Sequence, residues 1–186
     1  IREPHRAFGI PPGRNAEFGQ KAPRSYMVMD TRRVWRHLEQ VKDPELPFLH
    51  VVEMGMVREV LFKGDELVVR ITPTYSGCPA TDVILQDIKK VVMALHEKAT
   101  VEVVHHPAWT TDWIGEEARS KMEANGIAPP IGSSSDKAFL LGKSHTVPCP
   151  LCAGKNTTLV SAFGSTACKA HYTCADCLEP FDHFKC

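Results

Sequence analysis

Four of the seven cysteines fall into two C-x-x-C pairs, Cys149 with Cys152 and Cys174 with Cys177, with 21 residues between the pairs. Each pair turns the chain so that two sulfurs face one cation, and two pairs close a tetrahedral four-thiolate site. The interval is one residue longer than the usual window for this pattern, a small departure for a loop closed by a β-ribbon. Zinc is the simplest occupant, because four thiolates leave no coordination position open. A rubredoxin-like iron is the alternative, since thiolate ligation suits both ions. The strand-like "TTLVSAF" and "AHYTC" between the pairs fit a four-cysteine zinc-ribbon module at 147–186. About 40 residues bury little core, so metal coordination supplies much of the folding energy there. Cys168 and Cys186 lie outside the pairs and read either as additional ligands or as buried free thiols. His171 and His183 read as surface or core residues in preference to ligands.

Cys78 sits in "TPTYSGCPATD" at 72–82, after the strand-like "ELVVRI" and before the helix-like "VILQDIKKVVMALHEK". A strand-to-helix turn exposes backbone N–H groups, and a helix N-terminus carries partial positive charge, so a neighbouring thiolate is favoured. Thiolate attacks electrophiles and binds soft metals, which leaves both catalysis and iron handling open. No local set of Cys, His and acid accompanies it, although His105 and His106 could approach through the fold. A buried cysteine that fills the strand-to-helix joint is the plainer alternative.

The elements that must hold these residues are legible in part. Asp30 or Thr31 can cap a helix at about 31–42, with Val34, Leu38 and Val41 on one face. Strand signals follow in "FLHVVEMGMV" and "REVLFKGDELVVRI", with "KGD" as a hairpin turn. A helix at about 80–97 carries Ile84, Ile88, Val91, Val92 and Leu95 on one stripe, "TVEVVHH" is a third strand, and "EEARSKMEANG" is a helix stopped by Gly126. This order predicts an α+β fold: a compact two-layer domain at 30–127 with a small three-stranded sheet, followed by the β ribbon. Residues 1–29, rich in Pro, Gly and Arg, read as a flexible tail, with 1–26 a leader or excess sequence, and 128–146 as a linker. The 22 Lys plus Arg balance 22 Asp plus Glu, which argues against nucleic acid as a partner. No apolar run reaches a membrane span and the N-terminus has no signal-peptide core, so a cytoplasmic protein is expected. Two C-x-x-C pairs in a reducing compartment agree with that address. Exposed strand edges in a small sheet make a homodimer conceivable.

Several stretches together resemble a known family. "DPELP" at 43–47, "EMGMVREV" at 53–60, "VVRITPTYSGCP" at 68–79 and "HPAWTTDWIGEEAR" at 106–119 are similar to the iron-sulfur assembly domain of SufT-like proteins and cytosolic iron-sulfur targeting factors. With the ribbon behind it, the chain resembles the PaaD family, small accessory proteins of bacterial phenylacetate degradation. The resemblance implies that Cys78 is the functional thiol, with Thr72 and Thr74 beside it and Asp43 and Glu45 as candidates for the same surface. It also implies a non-catalytic factor that delivers transient iron or an iron-sulfur cluster to the multicomponent phenylacetyl-CoA epoxidase, with the iron-sulfur reductase as the first candidate client. The chain has neither the Glu-x-x-His helices of a di-iron bundle nor a dinucleotide fingerprint, so it fits neither catalytic part. The alternative is an electron-transfer or structural subunit whose C-terminal site holds iron.

Overall fold

The computed structural model describes residues 30–75, 77–131 and 146–185. The expected tail, most of the expected linker and Cys186 lie outside the described residues.

Helix α1 (Thr31–Leu38) starts at Asp30, whose side chain accepts the Arg32 N–H, and it buries Val34 and Leu38. It stops at Leu38, short of the expected end near 42. Beyond it the chain turns back on itself and pairs Lys42 with His50 in an isolated bridge. Strands β1 (Val57–Lys63) and β2 (Glu66–Ile71) form the hairpin expected at "KGD", with Gly64 at φ 65° in its turn. Helix α2 (Ala80–Leu95) crosses over to β3 (Ala99–Val103), which pairs parallel to β2. The sheet order is β1-β2-β3, with β1 antiparallel to β2.

Alternation divides this sheet into two faces. Leu67, Val69 and Ile71 of the central strand join Ile84, Ile88 and Val92 of α2 in the core. On the other face Arg70 bridges Glu59 at 2.7 Å and Glu102 at 2.8 Å, and so links all three strands. Helix α3 (Glu116–Ala124) adds Ala118 and Met122 to the same core, and the chain leaves it through Gly126 at φ 73°.

The apolar stretch "FLHVVEMGM" is not a strand. Leu49, Val51, Met54 and Met56 are all buried, yet they lie in consecutive turns. Two tryptophans from the later loop hold those turns in place. The Trp109 indole N–H donates to the Met54 carbonyl at 2.9 Å, and Gly55, at φ 68°, abuts Trp113 so closely that a Cβ on it would lie 2.6 Å from the Trp113 Cβ. Arg119 fixes that loop by donating to the carbonyls of Thr111 and Pro130.

The C-terminal sheet is ordered β4-β7-β6-β5. It comprises β4 (Ile127–Ala128), β5 (Thr157–Ser161), β6 (Lys169–Cys174) and β7 (Pro180–Phe184). Strand β4 directly follows α3 but pairs with β7, so the two modules share a hydrogen-bonded strand. Among the described residues no helix is long and apolar enough to cross a membrane.

Candidate functional site

The two C-x-x-C turns and the strands between them bring four sulfurs together. Antiparallel pairing of β5 with β6 sets Thr157 opposite Cys174, which folds the first pair back over the second. Any two of the ligand atoms of Cys149, Cys152, Cys174 and Cys177 lie within 4.8 Å of each other. Cys149 and Cys177 are 3.8 Å apart, and Cys152 and Cys174 are 3.6 Å apart. A tetrahedron with metal–sulfur bonds of about 2.3 Å has edges of about 3.8 Å, so the donor set fits a tetrahedral thiophilic ion. Cys149 and Cys174 are buried, Cys177 is half-buried and Cys152 is exposed, so the ion would be enclosed on its inner side.

Backbone amides and neighbouring thiols set the protonation of this cluster. The N–H groups of Cys177 and Asp176 pull Cys174 down to about 7, against burial. At Cys152 the Gly154 N–H pulls downward, but the thiols of Cys177, Cys174 and Cys149, together with burial, push it up to about 12. Cys177 is also raised, the pull of the Glu179 N–H and of Cys152 being outweighed by burial and the sulfurs of Cys174 and Cys149. A cation replaces the shared protons that keep four close sulfurs from repelling one another. The cradle is tight at Gly154, where a Cβ would lie 2.3 Å from Asp176 Oδ2 and 3.1 Å from Cys152 Sγ.

Cys78 occupies the turn between β2 and α2, half-buried at the edge of the main core. Its carbonyl accepts the Thr81 N–H at 3.0 Å, and Pro79 caps α2 with no side-chain hydrogen bond. Gly77, at φ 91°, has open space where a Cβ would stand, so its role is conformational. Thr72 is buried and Thr74 half-buried. The hydroxyls of Thr72 and Thr81, at either end of this turn, are buried and have no hydrogen-bond partner among the described residues. His105 and His106 are exposed beyond the end of β3.

Asp43 and Glu45 have another neighbour. Asp43 Oδ1 accepts the N–H groups of Glu45 at 2.7 Å and Leu46 at 3.0 Å, and burial pushes its carboxyl upward. Glu45 Oε2 accepts the thiol of Cys168, 123 residues away, at 3.2 Å. Cys168 also lies 3.0 Å from Thr166 Oγ1 and is buried in the main core beside Phe184. The buried Lys169 sits where its charge draws on both Asp43 and Asp182. Asp182 itself bonds Ser165 and His171. Phe184 packs edge-on against Trp109 with ring centroids 6.4 Å apart. Sequence spacing gives no signal for the contacts of Glu45 with Cys168 and of Trp109 with Phe184, because their partners lie in different modules. His171 is half-exposed, and His183 contacts the Ala128 carbonyl.

Comparison with known proteins follows the same division. Residues 31–103 match a family model described as "Iron-sulfur cluster assembly protein", and residues 133–185 match one described as "PaaD zinc beta ribbon domain". The chain is 46% identical over 158 residues to an Escherichia coli (strain K12) protein named as a subunit of 1,2-phenylacetyl-CoA epoxidase, covering 82% of this chain and 91% of that relative. It is 38% identical over 85 residues to the Bacillus subtilis (strain 168) protein named "Fe-S protein maturation auxiliary factor YitW", covering 44% of this chain and 82% of that one. A solved Bacillus anthracis domain of unknown function aligns with a TM-score of 0.45 at 29% identity, over 49% of this chain and 89% of that chain. The chain belongs to the PaaD family, which joins an iron-sulfur assembly domain to a zinc ribbon.

Proposed function

We propose that this member of the PaaD family is an accessory maturation factor for a phenylacetyl-CoA epoxidase system, with Cys78 as the thiol that transiently holds iron or an iron-sulfur cluster. The reading is carried by one observation: the segment that matches the assembly-domain model places a half-buried thiol on the turn that opens α2. The names of the relatives, an epoxidase subunit and maturation factors, supply the context.

A single thiolate is a poor permanent anchor for a cluster, since stable clusters take four protein ligands. Weak holding suits a carrier. Thiolates of the receiving component, with the iron-sulfur reductase as first candidate, replace Cys78 as cargo passes to them. In this reading Thr72 and Thr74 flank Cys78, while Asp43 and Glu45, seated against their own turn and Cys168, remain candidates for the surface that meets the client. The ribbon contributes a structural role: Cys149, Cys152, Cys174 and Cys177 hold zinc, which offsets half of the thiolate charge and closes the fold. A cytoplasmic location is part of the same reading.

The test is co-expression of the epoxidase reductase with wild-type chain or with Cys78→Ser, followed by iron and sulfide analysis of both proteins after anaerobic purification. The expected result is a loss of cluster content and activity in the reductase with the variant, while the zinc content of the accessory chain stays at one per chain. Equal reductase cluster content in both cases would sink the carrier role. A second reading, electron transfer through iron in the ribbon, is favoured by the same sulfur spacing, which suits iron as well as zinc. A red protein with reversible thiolate-to-iron absorption would select it.

A further inference from the structure

The β6–β7 hairpin has the four-thiol site at one end and the intermodule contact at the other. Strand β6 runs from Lys169 to Cys174, so it begins one residue after Cys168 and ends on a ligand. Strand β7 begins three residues after Cys177 and ends at Phe184, which packs against Trp109. Five register pairs hold these two strands side by side. At the far end Cys168 and Phe184 are buried in the core of the first module, the Cys168 thiol contacts Glu45, and Lys185 N–H donates to the Cys168 carbonyl at 2.9 Å. The ribbon's own cluster, by contrast, consists of Ala128, Val147, Cys149, Cys174 and Phe181, two of which are metal ligands.

We infer that metal occupancy of the four-thiol site controls whether the ribbon covers the acidic turn at 43–45. With so little apolar core, the hairpin keeps its register only when the sulfurs are gathered on a cation. When the register is lost, Cys168 and Phe184 are no longer presented as a pair, and the Glu45 carboxylate and the charge of Asp43 lose the thiol and the ammonium seated over them. The first module does not depend on the metal in this way, because 20 of the 22 buried residues in its core belong to its own helices, strands and turns, and only Cys168 and Phe184 come from the ribbon. The ribbon is therefore a metal-dependent cover over part of the assembly domain. Linkage makes the coupling reciprocal: whatever loosens the docked end weakens metal binding at the other.

Two measurements on the full chain test this. In the first, zinc-loaded and chelator-stripped protein, both reduced, are compared by alkylation of Cys168 mapped on its peptide and by hydrogen exchange of the Glu45 and Leu46 amides. Stripping is expected to speed Cys168 alkylation by about tenfold or more and to speed exchange at Glu45 and Leu46, while amides of β2 and α2 keep their protection. Unchanged exchange at 43–46, or a collapse of protection in β2 and α2 as well, overturns the inference. In the second, zinc affinity is measured by competition with a chromogenic chelator for Cys168→Ala, Phe184→Ala and the exposed control Leu178→Ala. The first two are expected to lose about fivefold or more and the control nothing. Wild-type affinity in Cys168→Ala overturns the coupling even if Phe184→Ala fails to fold. None of these readouts involves Cys78, so their failure leaves the carrier role standing and its failure leaves the coupling standing.

Discussion

The two modules reach stability by different means. Among the described residues the first gathers 22 buried residues into one continuous cluster, Cys168 and Phe184 of the ribbon among them, whereas the second has a cluster of five. A core of the first kind is held by apolar area and shape complementarity, and it tolerates the loss of any ion. A core of the second kind is a shell around sulfur atoms, and removing the ion removes its reason to close. The first module can therefore hold the half-buried Cys78 thiol at the start of α2 without help from an ion, whereas closure of the ribbon depends on one.

Breaking a metal ligand should separate the modules most sharply. Cys174→Ala is expected to abolish stoichiometric metal and the protection of β5–β7 amides, while the far-ultraviolet signal of α1 and α2 remains. Metal analysis beside hydrogen exchange would check it. Acidification should reproduce that result reversibly. The metal-free site holds protons on the raised Cys152 and Cys177 thiols at neutral pH, so metal must displace at least these two. Affinity is then expected to fall by at least about a hundredfold per pH unit on lowering the pH, and more steeply below about 7, where Cys174 also takes up a proton. Competition titrations across pH would measure the slope.

Core truncation should have the opposite selectivity. Ile88, fully buried on α2, is expected to cost about 2–5 kcal/mol on replacement by Ala, with metal stoichiometry unchanged. Denaturant unfolding followed alongside metal content would show it. Within the first module a pair of glycines refines the point. Gly55→Ala must accommodate both a positive φ and a Cβ 2.6 Å from Trp113, an expected loss of about 2–4 kcal/mol. Gly64→Ala, at a similar φ with open space around it, is expected to lose about 1 kcal/mol. Equal losses at the two positions would mean that the Trp113 contact contributes nothing.

Legibility from sequence follows the range of the interactions. The "KGD" hairpin and the helical stripe of Ile84, Ile88 and Val92 are local patterns, and each corresponds to an element in the structure. The C-x-x-C pairs are legible because their ligands are two short turns, each readable by itself. The buried turns at 48–56 are not, because an apolar run has the same composition whether it pairs as a strand or is pinned by remote tryptophans at 109 and 113. The contact of Glu45 with Cys168 lies further out of reach. Its two halves are separated by 123 residues, and neither carries a motif that names the other. The pairing of β4 with β7 rests on two residues, too short to show any periodicity.

That two-residue strand also limits how freely the parts can be recombined. A ribbon excised at residue 133, where its family match begins, would leave behind Ile127 and Ala128, the pair that covers β7. The bare strand would then offer unpaired backbone groups to any neighbouring chain, an invitation to aggregate. A graft of the ribbon onto another protein should therefore carry the last turn of α3 and its two following residues along. By that measure the unit of inheritance is larger than the metal-binding fold itself.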